Sequence, residues 1–455
     1  MTKYQQYAEY KDSGIEWLGE VPKHWIVVKL GNFVFMQEGP GLRTWQFTDS
    51  GIRVICVTNI TENGINFSKL EKFISTSEYL GNYRHFTVNK GDILLSSSGN
   101  SWGKVASYLE DEVVILNTST IRLNESANKK IIIEFIKYIL SSFSTKEQLG
   151  LMMTGSCQPN FGPSHLKEVK VVLPSQQEQY LIVNFLDYET AKIDSLIEKQ
   201  QQLIQLLKEK RQAVISHAVT KGLDPNVPMK DSGVEWLGKV PEHWDVSKFG
   251  YISQVVRGGS PRPAGDPTLF NGDYSPWVTV AEITKDDELY LTSTETFLTK
   301  KGSEQCRVFQ AGALLLSNSG ATLGVPKILC INANANDGVV GFEDLRIDTE
   351  YAYFYLSVLT NDLRERVKQG SGQPNLNTDI VKAISITIPP ENEIKEIVAD
   401  IKKKIDHFAK LMKSAENAIQ LMQERRTALI SAAVTGKIDV RNWQNPTEAK
   451  MEFSA

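Results

Sequence analysis

The chain has 455 residues, 41% hydrophobic content and a formal net charge of −4, which suits two to four domains with apolar cores. It contains no apolar run of about 18 residues, which argues against a membrane span, and its polar N-terminal residues do not form a secretory signal. Four cysteines without a CxxC pair argue against a disulfide framework or a metal site, so we expect reduced thiols in a cytoplasmic protein.

Four sequence blocks occur twice in the same order, which indicates that one unit was duplicated. The first block, KDSGIEWLGEVPKHW, starts at 11 and returns as KDSGVEWLGKVPEHW at 230, an offset of 219. Three further pairs follow at offsets of 221, 215 and 215: GDILLSSSG at 91 with GALLLSNSG at 312, SCQPN at 156 with SGQPN at 371, and KRQAVISHAVT at 210 with RRTALISAAVT at 425. Two copies of one binding surface predict a protein that binds two targets together.

Each copy is predicted to contain an irregular arm rich in Gly, Pro and Trp, an α+β body and a long helix. In chain order, these segments are an N-terminal docking arm at 1–25, a first body at 26–175, a first long helix at 176–220, the repeated docking arm at 221–244, a second body at 245–390, a second long helix at 391–435 and a C-terminal tail at 436–455.

The two long helices carry apolar residues at steps of three, four and seven. In the first they are Leu186, Ile193, Leu196, Leu203, Leu207 and Val214, and adding 215 gives Ile401, Phe408, Leu411, Ala418, Met422 and Leu429. This heptad-like pattern favours two helices, each roughly 60 Å long, that pack on each other. An antiparallel pair would place the N-terminal arm beside the end of the second helix. The alternative is that each helix packs only on its own body.

Common catalytic motifs are missing from the sequence. It has no HExxH, no GxSxG, no GxGxxG after a strand and no Asn/Asp-Pro-Pro-aromatic tetrapeptide of an amino-methyltransferase. Gly99–Val105 is one residue short of a phosphate loop, and Val105 stands where the magnesium-binding Ser or Thr would be. We therefore expect no catalytic residue, no metal site and no cofactor bound by this chain.

Two loops shared by both copies present small polar residues after a strand or before a helix. Hydroxyls, amides and glycines allow close approach to a ligand, and Gln and Asn can pair with adenine in the major groove. A tight hairpin and a capped turn without any ligand explain them equally well. The candidates are Ser97, Asn100, Lys104, Gln158 and Asn160 in the first copy, and Asn318, Lys327, Gln373 and Asn375 in the second.

Residues 37–90 and 254–311 differ strongly between the copies, so specificity is expected there. Arg reads guanine and Asn reads adenine from the major groove, which makes Arg43, Asn59 and Arg84 candidates in the first copy and Arg257 and Arg262 in the second. The charge is weak for a DNA-binding protein: residues 26–175 hold 15 Lys+Arg against 13 Asp+Glu, and residues 245–390 hold 13 against 17. Partners would have to supply much of the phosphate contact.

The chain resembles, over essentially its whole length, the DNA specificity (S) subunit of type I restriction-modification systems. The resemblance rests on the arm SGxEWLGxVPxHW, the hairpin pair GDILLSSSG and GALLLSNSG, the loop GSxQPN and the helix end ISxAVT. The resemblance implies two α/β target recognition domains joined by antiparallel coiled-coil spacer helices with a pseudo-two-fold repeat. Each domain would read one half of a bipartite, asymmetric DNA site. Two methyltransferase subunits and restriction subunits, which use S-adenosylmethionine, ATP and Mg, would assemble on this non-catalytic chain.

A different function class remains open on the sequence alone. Two adaptor bodies on a coiled coil could form a protein-assembly scaffold without DNA contact, and the weak charge favours that alternative. A self-sufficient nuclease or methylase would need an active site that the sequence does not display.

Overall fold

The computed structural model describes residues 4–62, 64–126, 130–153, 160–320, 322–368 and 375–446. The chain forms two compact units. Unit 1 combines Met1–Gln201 with Glu416–Ala455, and unit 2 is Gln202–Ala415. Each long helix therefore contributes one half to each unit.

Unit 1 contains fifteen strands among its described residues: β1 (Tyr10–Asp12), β2 (Glu20–Pro22), β3 (Ile26–Lys29), β4 (Val34–Glu38), β5 (Phe47–Thr48), β6 (Ile52–Ile55), β7 (Ile60–Thr61), β8 (Gly64–Ile65), β9 (Phe73–Ile74), β10 (Thr87–Val88), β11 (Ile93–Ser96), β12 (Val105–Ser107), β13 (Val114–Leu116), β14 (Thr120–Glu125) and β15 (Lys170–Leu173). Its helices are α1 (Thr76–Glu78), α2 (Ile133–Ser141), α3 (Phe143–Met152), α4 (Pro163–Glu168) and the first part of α5 (Gln176–Lys221).

Unit 2 contains thirteen strands in its described part: β16 (Met229–Asp231), β17 (Lys239–Pro241), β18 (Asp245–Lys248), β19 (Gln254–Arg257), β20 (Phe270–Val278), β21 (Tyr290–Leu291), β22 (Phe297–Leu298), β23 (Val308–Phe309), β24 (Leu314–Ser317), β25 (Pro326–Leu329), β26 (Ala333–Ala335), β27 (Val339–Glu343) and β28 (Ser385–Ile388). Its helices are α6 (Phe249–Ile252), α7 (Val280–Ile283), α8 (Lys300–Ser303), α9 (Thr349–Lys368), α10 (Thr378–Ala383) and the first part of α11 (Glu391–Val434).

The sheets of the two units share one topology. The strand order β12-β11-β14-β4 of unit 1 corresponds to β25-β24-β27-β19 of unit 2, and β10-β13-β6-β9 corresponds to β23-β26-β20-β22. In each second sheet the central pair, β13 with β6 or β26 with β20, is parallel. The duplication seen in the sequence is therefore also a duplication of fold.

The apolar runs in β11 and β24 reflect burial on both faces of a sheet. Ile93 and Leu95 belong to one core of unit 1, whereas Leu94 belongs to another on the opposite face. In unit 2, Leu314 and Leu316 face one core and Leu315 the other. Side chains alternate across a strand, so an uninterrupted apolar run is what a strand between two cores requires.

Each long helix begins after a proline and ends at a glycine. The hydroxyl of Ser175 accepts a hydrogen bond from the Glu178 amide at 3.3 Å and donates to the Glu178 carboxylate at 3.2 Å, which caps the start of α5. Gly222 (φ +81°) and Gly436 (φ +75°) follow the two helix ends in the left-handed conformation that glycine favours.

The two long helices pack against each other within each unit. In unit 1 the first part of α5 meets the end of α11, where the guanidinium of Arg426 lies 2.8 Å from the Asp194 carboxylate. In unit 2 the end of α5 shares a core with the start of α11, through Val219 and Ile401 among others. This pairing order is that of antiparallel helices, so the predicted fold class is confirmed.

The predicted apolar seam is only partly buried. Ile193 and Phe408 are buried, but Leu196, Leu203 and Leu411 are exposed. A straight α-helix has 3.6 residues per turn, so a strict heptad stripe drifts around it. Next to exposed Leu196, Ile197 packs against the core of unit 1 instead.

The N-terminal arm lies beside the end of α11, as expected from the antiparallel pairing. The Tyr10 hydroxyl donates to the carbonyl of Gly436 at 3.0 Å, and Lys437 Nζ donates to the carbonyl of Glu20 at 2.6 Å. A Cβ on Gly436 would lie 2.3 Å from Pro22 Cδ, so glycine is required for this approach. The second arm is fixed in the same way, because Lys221 Nζ donates to the carbonyl of Leu237 at 3.0 Å.

A tryptophan anchors each arm to the first turn of a long helix. Trp25 and Trp244 are fully buried. The indole N–H of Trp244 donates to Glu393 Oε2 at 2.5 Å, and His243 Nε2 lies 2.9 Å from Glu393 Oε1. In unit 1 Glu178 is the acceptor for Trp25, at 3.4 Å. The start of a helix stabilises such a carboxylate because its free N–H groups and dipole favour negative charge.

No helix in the described part of the chain is both long enough and apolar enough to cross a bilayer.

Glu393→Ala should loosen the second arm, because it leaves the buried Trp244 indole without an acceptor, at a cost of about 1–3 kcal/mol. Hydrogen–deuterium exchange of residues 229–244 should accelerate. Glu391→Ala, in the same helical turn, is the matched control, since Glu391 is exposed and its ion pair is with the exposed Lys395. Equal exchange in both variants would contradict the anchoring role.

Candidate nucleic-acid interface

The two shared loops come together in both units. In unit 1, Ser98 forms an isolated β-bridge with Asn160, and the amide of Phe161 donates to the carbonyl of Ser97 at 3.1 Å. In unit 2, Ser319 forms the same bridge with Asn375, and the amide of Leu376 donates to the carbonyl of Asn318 at 2.7 Å. Motifs about 60 residues apart in the sequence therefore form one structural element. Gln158 and Gln373 lie outside the described residues.

A turn between two strands completes this element. The amide of Ser97 donates to the carbonyl of Ser119 at 2.9 Å, and that of Asn318 donates to the carbonyl of Gly338 at 2.9 Å. We call the element the loop cluster. It comprises residues 97–103, 117–119 and 160–161 in unit 1, and residues 318–320, 322–324, 336–338 and 375–376 in unit 2.

The divergent segments join the loop clusters at equivalent glycines. Gly39 follows β4, and a Cβ there would lie 2.1 Å from the carbonyl oxygen of Asn117. Gly258 follows β19, and its Cβ would lie 2.3 Å from the carbonyl oxygen of Asn336. Only glycine fits where two backbones approach so closely. Both segments thus cross the same turn, and their sequences differ beyond it.

In unit 1 the divergent segment displays Arg43 and Trp45 from a fixed turn. The buried amide of Gln46 accepts a hydrogen bond from the Arg43 backbone at 2.8 Å and donates to the Tyr83 hydroxyl at 2.8 Å. Tyr83 directly precedes Arg84, so the two arginine-bearing segments are joined through Gln46. Arg43 and Arg84 are exposed, and the Trp45 side chain is 80% exposed.

In unit 2 the divergent segment is tied to the cluster through Asp337. Arg257 Nε donates to the Asp337 carbonyl at 2.7 Å, and the Ser260 hydroxyl donates to the Asp337 carboxylate at 2.5 Å. The Ser260 hydrogen bond, with help from the charges of Arg257 and Arg262, keeps the pKa of Asp337 below its usual value. The Asp337 carboxylate thus feels the positive charge of two exposed arginines.

Four of the predicted site residues are buried, which argues against a direct ligand contact by their side chains. Ser97, Asn318, Asn59 and Lys327 are each at most 1% exposed. The Asn59 amide donates to the carbonyls of Asn66 and Leu70. The Lys327 ammonium contacts the Asp286 carboxylate and the carbonyl of Glu288. The Asn59 and Lys327 side chains satisfy loop backbone inside the fold, which a polar residue in a sequence does not reveal. The Ser97 hydroxyl and the Asn318 amide oxygen are buried without a hydrogen-bond partner among the described residues.

The other described candidates lie on or beside the loop clusters or on the divergent segments. Asn100, Asn160 and Asn375 are exposed on the clusters, and Lys104 is partly buried just beyond the hairpin. Sequence reasoning missed Ser260 and Asp337. The Asn-Asp-Gly run at 336–338 is a strong turn signal and could have located Asp337.

The arrangement suits binding rather than bond-breaking chemistry. The exposed groups are guanidiniums, amides and an indole, which hydrogen-bond or stack on a flat polar ligand such as a base pair. No group of three or more His, Cys, Asp and Glu side chains within the described ranges is placed to hold a metal ion.

Two matches to one family model cover most of the chain. The model, described as the type I restriction modification DNA specificity domain, matches residues 22–206 and 241–421. The putative type I restriction enzyme MjaX specificity subunit of Methanocaldococcus jannaschii is 24% identical over 440 residues, which is 93% of this chain and 96% of the relative. The EcoKI specificity subunit of Escherichia coli is 22% identical over 346 residues, 72% of this chain and 70% of the relative.

The fold is also similar to a solved structure. That structure comes from work on complex assembly and conformational transition of the type I R-M system, and the TM-score is 0.67 at 15% identity, covering 91% of this chain and 98% of that chain. At this identity the likeness concerns the fold alone.

Gly39→Ala should distort the loop cluster of unit 1, because its Cβ would collide with the Asn117 carbonyl. We expect the free energy of unfolding to fall by about 1–3 kcal/mol, seen as a melting temperature lowered by a few degrees. Gly41→Ala is the matched control, since no atom lies within 4 Å of its Cβ position. Equal melting temperatures for the two variants would remove the steric argument.

Proposed function

The chain belongs to the type I restriction-modification DNA specificity family, and from that premise we propose that it reads a bipartite, asymmetric DNA sequence, one half-site with each unit. Its relatives are named specificity subunits, and the chain is a non-catalytic specificity subunit. The matched family model describes a DNA specificity domain. An assembly scaffold without DNA contact is therefore not retained.

One observation carries the bipartite proposal. The two loop clusters are built alike, down to the Ser98–Asn160 and Ser319–Asn375 bridges, yet the segments that start at Gly39 and Gly258 expose different side chains. To read two different half-sites, the two units need the same loop cluster as a support and different exposed side chains on it. The constant parts position the protein, and the variable parts specify the sequence.

The arginines are the strongest candidates for base contacts. A guanidinium pairs bidentately with guanine in the major groove, and such a pair contributes about 1–3 kcal/mol of discrimination. We assign Arg43 and Arg84 to one half-site and Arg257 and Arg262 to the other. Trp45, fixed by the turn that also fixes Arg43, would contact the same half-site as Arg43 through its exposed indole.

The polar groups common to both units suit contacts that do not depend on sequence. We propose that Asn160 and Asn375 bind the sugar–phosphate backbone and that Gln158 and Gln373 serve the same contact. Asn100 of unit 1, which has Ala321 as its counterpart, would add to it.

The chain would also be the scaffold on which the enzyme assembles. We propose that two methyltransferase subunits and restriction subunits bind to it and bring S-adenosylmethionine, ATP and Mg. An apolar groove of about 640 Å³ in unit 1, lined by Phe143, Ala428 and Ala432 among others, supports such docking. The net charge of −4 also favours partners that supply phosphate contacts.

The long helices are proposed to set the gap between the half-sites. Inserting one helical turn into both, after Gln200 and after the equivalent Ala415, lengthens each by about 5.4 Å. We expect the gap to widen by one or two base pairs, since a base pair rises about 3.4 Å, with both half-sites unchanged. Mapping methylated sites in a host genome measures this. An insertion in only one helix is the control and should abolish activity. An unchanged gap after insertion into both helices would reject the proposal that the helices set the gap.

Single arginine substitutions should relax one half-site each. Arg43→Ala should lower discrimination in one half and Arg262→Ala in the other, by about 1–3 kcal/mol for each guanine that is no longer read. The measurement is methylation, by the assembled enzyme, of duplexes with base changes in either half. Arg307→Ala, which breaks an exposed pair with Glu343, is the control. Equal loss of discrimination in both halves from one variant would contradict the division of labour.

A further inference from the structure

Unit 1 contains a cationic cleft that the proposed base-reading surface does not use. It has a volume of about 200 Å³ and lies between β12, the α2–α3 region and the last turns of α11. Its charged lining residues are Lys104, Lys137, Lys146, Arg426 and Glu62. Arg426 is paired with Asp194, but within the described ranges none of the three lysines has a carboxylate within ion-pair distance. We call this the lysine cleft.

A glycine brings two of these lysines together. Gly103 is buried with φ +76°, and Lys146 Cε lies 3.7 Å from the position its Cβ would occupy. The Lys146 side chain therefore crosses over Gly103 beside Lys104. Lys137 reaches the same cleft from α2, with Nζ 5.8 Å from the centre of the Tyr138 ring.

The positive charge of the three lysines favours binding of an anion in the cleft. All three lysines are partly buried, so water screens their mutual repulsion less than on an open surface. A group that places several negatively charged oxygens in the cleft would relieve that repulsion and accept charge-assisted hydrogen bonds from the ammoniums. A phosphate has this chemistry.

The lysines of the cleft are not repeated at the equivalent hairpin in the described part of unit 2, so the fold does not require them. The glycine equivalent to Gly103 is Gly324, whose amide makes the same bond to the carbonyl of Ser317 that Gly103 makes to Ser96. Val325 follows Gly324 in place of Lys104, and a Cβ on Gly324 would face Thr360 and Leu363 instead of a lysine. At this hairpin of unit 2 the guanidinium of Arg364 donates to the carbonyl of Leu323 at 2.9 Å, so the cluster of lysines is a feature of unit 1.

We propose that the lysine cleft binds a phosphate of the DNA backbone beside the half-site read by unit 1. The inference rests on the proposed function. Lys104 follows the hairpin whose tip, Gly99–Ser101, belongs to the loop cluster, so a duplex on that cluster brings its backbone to the cleft. Residues 26–175 have two more basic than acidic residues, whereas 245–390 have four fewer, and the phosphate contact falls on the more positive body.

The test compares two double variants of the full chain in the assembled enzyme. Lys104→Gln with Lys146→Gln removes two charges from the cleft. Lys23→Gln with Lys29→Gln removes two from exposed pairs with Glu9 and Glu168 in the same unit. The slope of log affinity against log salt should fall by about one for each phosphate that the variant no longer binds. Only the cleft variant should show this, with discrimination between half-site sequences unchanged. A slope equal to that of the control would overturn the proposal.

A chemical footprint separates the cleft from sequence reading. Acetylation of Lys104, Lys137 and Lys146 is followed by mass spectrometry with partners alone, with inorganic phosphate, and with a duplex lacking the recognition site. Protection by the duplex supports the proposal even if the enzyme shows no sequence preference, which would refute the proposed function alone. Protection by inorganic phosphate only, by partners without DNA, or by none of these would overturn the assignment to the DNA backbone.

Discussion

The structure depends on a carboxylate placed in the first turn of each long helix. A fully buried indole N–H, such as that of Trp244, must find an acceptor or lose its hydration without compensation. Glu393 provides it where the helix terminus stabilises negative charge. The same arm also packs on Gly222, just past the end of the other long helix. One short arm thus holds the start of one helix against the end of the other, and the first arm does the same at Glu178 and Gly436.

This frame separates what both units share from what distinguishes them. The sheets, the arms and the loop clusters repeat, while the exposed arginines and the lysine cleft do not. The boundary between the shared and the divergent parts lies at Gly39 and Gly258. At each of them two backbones approach so closely that no side chain fits, which fixes the path of the chain. Beyond that contact the segment of unit 1 is stabilised within itself through Gln46, whereas that of unit 2 is tied to Asp337 of the loop cluster through Ser260.

Because the sequence repeats, the architecture could be predicted from it. The environment of individual side chains could not. The repeat offsets indicated two units and two long helices, and the shared blocks marked the arms and loop clusters. Strand order depends on long-range pairing that no single stretch encodes. The side chains of polar residues are hard to place for a related reason: the sequence predicts exposed side chains at Lys327 and Asn59, but the structure shows them satisfying carbonyls inside the fold. Asp337 went unnoticed because its partners lie 77 and 80 residues away.

The glycine at the root of each divergent segment also bears on how such proteins change over generations. In unit 1 only glycine fits at position 39 and the segment beyond it makes its own internal bonds, which suits that segment to replacement as a whole. Recombination that replaces it whole keeps the cores, arms and helices intact. If the proposed bipartite reading holds, a lineage would thereby acquire a new target sequence in one half-site while the rest of the chain stays unchanged.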